Sequence, residues 1–248
     1  MSSCHVYTEG DIALLRKGGA ILRRCLQMLK KEVQPGVTTG ALDRKAEEFI
    51  RAHGAVPAFK GYQGFPATLC TSVNEECVHG IPGERVLQEG DIIAMDCGVL
   101  LDGYYTDACI TVPVGTAGKE ASHLMDVTKG ALDAVVAIIK AGVRVGDLSA
   151  TIQKYAEEGG CVPVRSLTGH GVGRNLHEFP DIPNFGKAGS GPLLPAGCII
   201  AVEPILALGD YQVVQQPDGW LLSMRDGGLS AHFEHTIAVI EGGCEILA

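Results

Sequence analysis

Five side chains in this sequence are placed to do chemistry together: Asp96, Asp107, His170, Glu203 and Glu234. Asp96 and Asp107 lie in Gly90-Asp-Ile-Ile-Ala-Met-Asp-Cys-Gly-Val-Leu-Leu-Asp-Gly-Tyr-Tyr-Thr-Asp107, two apolar runs joined by Asp102-Gly103, a strong short hairpin signal. With that turn, Leu101 faces Tyr104 and Gly98 faces Asp107. Side chains alternate along a strand, so Asp96 becomes the diagonal neighbour of Asp107, roughly 7 Å away. Carboxylates that close raise one another's pKa unless a cation sits between them. For these two alone, solvated hairpin carboxylates are the competing reading. Glu203 closes the apolar run Ile199-Ile-Ala-Val ahead of Pro204, and Glu234 lies inside Ala231–Ile240, which reads as one strand. A carboxylate in an apolar strand is costly to bury without a counter-charge. His170 sits in Thr168-Gly-His-Gly-Val-Gly-Arg174, whose glycines let backbone approach a bound group closely. Four carboxylates and one imidazole suit a hydrolytic two-metal centre, favouring Mn, Fe(II) or Co, with Zn also compatible.

These residues need a frame, and the sequence shows a doubled one. Thr8-x-x-Asp11 resembles a capping box, followed by Ile12, Leu15, Leu22, Leu26, Leu29 and Val33 at helical steps, with Pro35-Gly36 as the stop. Thr38 or Thr39 caps a second helix that ends at Gly54. Strands then cover Phe59 to Pro66 and Thr68 to Val73, ahead of the hairpin. In the second half, Leu124 to Ile139 reads as a helix, and Asp147 or Ser149 starts another that stops at Gly159-Gly160. Gly36-Val37-x-x-Gly40-x-Leu42 matches Gly142-Val143-x-x-Gly146-x-Leu148. Leu87-Gln-Glu-Gly-Asp-Ile-Ile-Ala-Met-Asp96 matches Leu194-Pro-Ala-Gly-Cys-Ile-Ile-Ala-Val-Glu203, and His79-Gly-Ile-Pro82 matches His177-Glu-Phe-Pro180. The expected architecture is therefore one α+β domain over residues 1–248, with pseudo-two-fold half-domains at roughly 10–115 and 120–240. The same two-fold places His79 and His177 on opposite sides of one centre.

Composition excludes several function classes. The 248 residues are 46% hydrophobic and 20% charged, enough for a substantial core. A net charge of -9 disfavours nucleic acid and anionic membranes as partners. No apolar run approaches the roughly 20 residues of a membrane span, and Met1-Ser-Ser-Cys-His-Val-Tyr has no basic, then apolar, targeting pattern. Nine scattered cysteines without a Cys-x-x-Cys pair fit reduced, buried thiols in the cytoplasm. Zincin motifs are missing, since Pro180 interrupts the helix that His177-Glu178 would need. Gly-x-Ser-x-Gly is absent, and Gly169–Gly173 is no dinucleotide fingerprint.

Taken together and in order, these motifs resemble those of the type I methionine aminopeptidases. The residues that carry the likeness are His79-Gly-Ile-Pro, the Asp96/Asp107 hairpin, Gly169-His-Gly-Val-Gly-Arg-x-x-His-Glu-x-Pro180, Glu203-Pro and Ser230-Ala-x-x-Glu234-His-Thr. The resemblance implies the pita-bread fold, an antiparallel sheet flanked by two helix pairs, and excision of the initiator methionine ahead of a small second residue. It implies that Asp96 binds one metal ion, His170 and Glu203 the other, and that Asp107 and Glu234 bridge them. Glu203 would also take the proton of the attacking water, His79 would contact the scissile amide, and His177 the carbonyl oxygen. Phe59, Tyr62, Phe65, Cys70, Leu176 and Trp220 fall at positions of the methionine pocket, with His79 and His177 beside them. Asn74 and Ser230 match the surroundings of a monovalent-cation site. The implied partners are nascent peptides with a free N-terminal methionine, with transient ribosome contact through the domain surface, and a monomer is expected. Two rivals share the fold: X-Pro aminopeptidases or prolidases, which usually carry a further N-terminal domain, whereas about ten residues precede the first helix here, and metal-free binding modules, which generally lack several ligands.

Overall fold

The computed structural model describes residues 4–248, so the first three residues of the stretch read for a targeting signal lie outside the described residues. Helix α1, Glu9–Glu32, begins at a true capping box: the Thr8 hydroxyl accepts from Asp11 N at 3.2 Å, and the Asp11 carboxylate accepts from Thr8 N at 2.9 Å. Its inner face buries Leu15, Leu22, Leu26 and Leu29. Thr38 caps α2, Thr39–Ala52, through Ala41 N. The second pair is α3, Lys119–Val136, and α4, Val145–Glu158.

Between the helix pairs and the opposite surface lie short antiparallel strands. The first half supplies β1 (Val56–Pro57), β2 (Leu69–Val73), β3 (Glu76–Val78), β4 (Ile92–Leu101) and β5 (Tyr104–Pro113). The second supplies β6 (Val162–Pro163), β7 (Thr168–Gly171), β8 (Glu178–Pro183), β9 (Ile199–Val202) and β10 (Ile205–Ala207). It continues with β11 (Val213–Gln215), β12 (Leu222–Met224), β13 (Ser230–His232), β14 (His235–Ile240) and β15 (Gly243–Ile246). Ladder order is β1-β4-β2 with β5 on β4 in the first half, and β15-β14-β9-β7-β8 in the second. This is the pita-bread arrangement of the expected α+β class.

The segments paired in the sequence reading make matching hydrogen bonds. Gly36 N donates to Leu87 O at 2.9 Å and Leu87 N to Val37 O at 2.8 Å, and their mates repeat the pattern, Gly142 N to Leu194 O and Leu194 N to Val143 O, both at 2.9 Å. Each half has its own apolar core under its helix pair, Leu22, Leu42, Ile50, Leu69 and Met95 in one, Leu124, Leu132, Leu148, Ile152 and Ile200 in the other.

Five boundaries differ from the sequence reading, one being the end of helix α3, which stops at Val136 short of Ile139. Helix α3 starts at Lys119, a turn before Leu124, because the polar segment Lys119–His123 offers no apolar stripe to read. Helix α4 starts at Val145 rather than at Asp147 or Ser149. Asp147 instead reaches back to accept from Arg144 N at 3.2 Å and forward to Gly189 N at 2.7 Å. Phe59–Pro66 is not a strand but a loop around a 3-10 turn at Tyr62–Gly64, bent by positive φ at Gly61, Gln63 and Gly64. Finally, Ala231–Ile240 is two strands, β13 and β14, parted at Phe233-Glu234.

Close approach limits one position sharply. A methyl group on Gly19 of α1 would run into the Leu247 carbonyl. Since both sides are backbone, neither can step aside by rotamer change. Gly19→Ala is expected to cost about 1–3 kcal/mol through overpacking, lowering Tm by several degrees in calorimetry, whereas an ordinary helix gains from the same change.

Candidate active site

The hairpin register puts the two aspartates where the turn chemistry demands. Asp102 and Gly103 have φ of 51° and 81°, a type I′ turn, and pairing runs outward from Leu101↔Tyr104 to Gly98↔Asp107 and Asp96↔Cys109. Asp96 and Asp107 are thus diagonal neighbours on paired strands.

Strand β5 carries Asp107 to the second half through alternate residues. Asp107 N donates to Thr236 Oγ1 at 2.8 Å, which donates back to Asp107 O at 2.7 Å. Two residues on, Cys109 O accepts from Glu234 N at 3.0 Å. Two further on, Thr111 Oγ1 donates to His232 O at 2.7 Å and accepts from His232 N at 2.9 Å. Opposite this seam, two ladders break in step. Val202 pairs with His235 on one side and Ile205 with His232 on the other, so Glu203-Pro204 lies across from Phe233-Glu234. Pro204 has no N–H for the ladder. Both glutamates leave the sheet at this double break.

His170 lies on β7 opposite Ala201, flanked by Gly169, where a Cβ would collide with the Ala201 carbonyl. Its Nδ1 donates to Gly171 O at 2.9 Å, which leaves Nε2 as the free lone pair, 3.6 Å from Glu203 Oε1. One donor atom each from Asp107, His170 and Glu234 lie within 4.8 Å of one another.

A cavity of about 390 Å³ opens over this cluster. Its lining contains Asp96, Asp107, His170, Glu203 and Glu234 at one end. Phe59, Tyr62, Phe65, Cys70, Leu176 and Trp220 supply the apolar wall, with His79 and His177 between. The Phe65 and Trp220 rings meet edge to face at 5.1 Å, and the Tyr62 hydroxyl lies 2.9 Å from His177 Nδ1. The thirteen residues read as metal ligands or pocket all line one cavity, whereas Asn74 and Ser230 do not. Asn74 and Ser230 meet nearby, Ser230 N donating to Asn74 O at 3.0 Å.

Sequence reasoning missed Gln63, Thr168 and Asp181 in the lining, the Thr111 and Thr236 clasps, and His232. The last was within reach, because His232, Glu234 and Thr236 follow at steps of two, the spacing of one strand face.

Among the described residues, no lysine or arginine lines the cavity. Asp107 and Glu234 are 4% and 3% exposed, and Asp96 Oδ1, Asp107 Oδ1 and Glu234 Oε1 have no hydrogen-bond partner among the described residues. Burial pushes Asp96 up to about 7, and burial with mutual repulsion pushes Asp107, Glu203 and Glu234 well above the usual carboxylate range. Burial lowers His170 to about 4, and His79 and His177 below their usual value.

A model of metallopeptidase family M24 matches residues 13–241. The chain belongs to metallopeptidase family M24. A methionine aminopeptidase of Clostridium perfringens is 47% identical over 239 residues, 96% of each chain. The crystal structure of methionine aminopeptidase from Thermotoga maritima superposes with a TM-score of 0.98 at 40% identity, covering 99% of both chains. The prolidase of Pyrococcus furiosus, at 21% identity and a TM-score of 0.80, covers 98% of this chain and 64% of that one, a likeness of fold alone. The resemblance to the methionine aminopeptidases thus extends along the whole chain.

The M24 centre fits divalent cations on its own evidence: orphaned carboxylate oxygens, a neutral imidazole with a free lone pair, and no competing basic side chain. Ions must displace the protons these carboxyls hold, while the histidines are already neutral. Groups whose folded pKa is raised contribute stability that is complete below about pH 4 and lost as pH climbs past the raised values. The ion-free M24 protein therefore weakens between pH 6 and 8 in this respect, while ion binding strengthens. Calorimetry of chelated protein with and without Mn(II) is expected to show a larger Tm gain at pH 8 than at pH 6. Equal gains would contradict the charge crowding.

Proposed function

We propose that this M24 metallopeptidase removes the N-terminal methionine from nascent polypeptides, preferring a small second residue. The convergence of five potential ligands, two histidines and an apolar wall on one cavity carries this reading. The names of full-length relatives at up to 47% identity support it.

Asp96 would hold one ion, His170 and Glu203 the second, with Asp107 and Glu234 shared between them. Two divalent ions, Mn, Fe(II), Co or Zn, supply Lewis acidity and activate water when bound. Glu203 accepts the proton of that water. The Tyr62 hydroxyl lies 2.9 Å from His177 Nδ1; by donating there it would keep a proton on Nε2 for the substrate carbonyl oxygen as it gains charge. His79 contacts the scissile amide. Phe59, Phe65, Leu176 and Trp220 enclose the methionine side chain, where a polarizable thioether packs well on aromatic edges. Burial holds Cys70 firmly as a neutral thiol, so it serves as apolar wall.

The Asn74 carbonyl and Ser230 hydroxyl offer oxygens to a monovalent cation. We further infer a single catalytic domain over 1–248, acting as a monomer in the cytoplasm on peptides leaving the ribosome, with no nucleic-acid or membrane partner. A net charge of -9 and the absence, among the described residues, of any helix long and apolar enough to cross a membrane accord with this.

Hydrolysis of Met-Ala-Ser after chelation and return of each metal tests the reading. Asp107→Asn and Glu203→Ala are expected to lower kcat at least about 10³-fold, since each removes a ligand and the second also a proton acceptor. Full activity of either variant in metal-replete buffer would overturn the assignment. In parallel, Met-Ala-Ser should be cleaved and Ala-Pro left intact. The opposite preference would make the chain a proline-directed peptidase.

A further inference from the structure

We propose that His232 is a positioning residue that fixes the two glutamates of the metal centre from behind, by donating its Nε2 hydrogen between them. The inference rests on the reading of Glu203 and Glu234 as ligands and adds a residue to that site. His232 is 3% exposed and lies outside the cavity lining, so it does not meet substrate. Its Nε2 stands 3.7 Å from Glu203 Oε2 and 3.7 Å from Glu234 Oε2, and it has no hydrogen-bond partner among the described residues.

A buried polar nitrogen without a partner is rare enough to require a reason. At 3.7 Å neither contact is a hydrogen bond. The donor is held equidistant between two acceptors and is satisfied once either carboxylate turns towards it. The backbone of His232 is firmly held. Thr111 Oγ1 clasps both its N and its O, Cys109 Sγ donates to the same O at 3.5 Å, and the residue pairs with Ile205 across the ladder.

The division of labour with His170 is legible in Glu203, which shows Oε1 to His170 and Oε2 to His232. His170 lies within ligand range of Asp107 and Glu234, whereas His232 does not belong to that set. One imidazole offers a lone pair to the centre, and the other holds the carboxylates that share it. Groups that hydrogen-bond to metal ligands in this way set their orientation, and losing one typically weakens metal binding about 10–100-fold.

The experiment titrates chelated wild type, His232→Phe and His232→Gln with Co(II), following heat and the visible d–d bands. Phe keeps a planar ring without a donor, and Gln keeps an N–H. His232→Phe is expected to bind the weaker ion about 10–100-fold less tightly with altered d–d bands, and to lose kcat with KM for Met-Ala-Ser little changed. His232→Gln is expected to keep affinity and spectrum near wild type. Wild-type affinity in His232→Phe, or a loss in His232→Gln as large as in His232→Phe, overturns the proposal, the second because it marks the imidazole as a direct ligand. If His232→Phe does not fold, His232→Asn, with an amide too short to reach, replaces it. Failure of the wild type itself to bind ions would instead sink the metallopeptidase reading.

Discussion

Asp96, Asp107, Glu203 and Glu234 crowd one end of a cavity whose lining contains no lysine or arginine, and their repulsion is the constraint the rest of the structure must contain. Each carboxylate is pushed up by burial, and three of them also by one another. Such a cluster costs several kcal/mol in the absence of cations, and it persists only because the backbone beneath it is over-determined. The hairpin register fixes two of the four, and the paired break between β9/β14 and β10/β13 fixes the others.

A set of neutral clasps helps to hold the halves together against that repulsion, alongside the apolar cluster of Ile12, Leu15, Tyr104, Val172 and Ile199. Thr236 and Thr111 each make two hydrogen bonds across the seam between β5 and the strands of the second half, with the Glu234 N–H to Cys109 O bond between them. Threonine suits the task because a hydroxyl donates and accepts at once. No charge is added to a place that already has too much.

Much of this was legible in the sequence where the signal is local. Asp102-Gly103 determined the turn, the turn determined the register, and the register placed Asp96 beside Asp107. Thr8 and Asp11 announced the start of α1, and the recurring Gly-Val-x-x-Gly-x-Leu segments make matching backbone hydrogen bonds. What escaped detection was either polar at its start or dependent on distant chain. The first turn of α3 shows no stripe because Ala121 is its one apolar residue, set among Lys119, Glu120, Ser122 and His123. The break at Phe233-Glu234 was invisible because β13 and β14 are buried on both sides of it, and an apolar run says nothing of which ladder it joins. The clasps join residues more than a hundred positions apart, which no periodicity records. The positions of the ligands and pocket residues came instead from motif order.

The seam between β5 and the second half also has a bearing on how the molecule comes into being. Ligands drawn from positions 96 through 234 make the centre a product of long-range contacts, which require most of the chain to be present. A ribosome that has delivered the first half has delivered two acidic side chains on a hairpin with nothing yet facing them. The metallopeptidase stays inert through nearly all of its own synthesis, and begins to work only after its late strands have found the early ones.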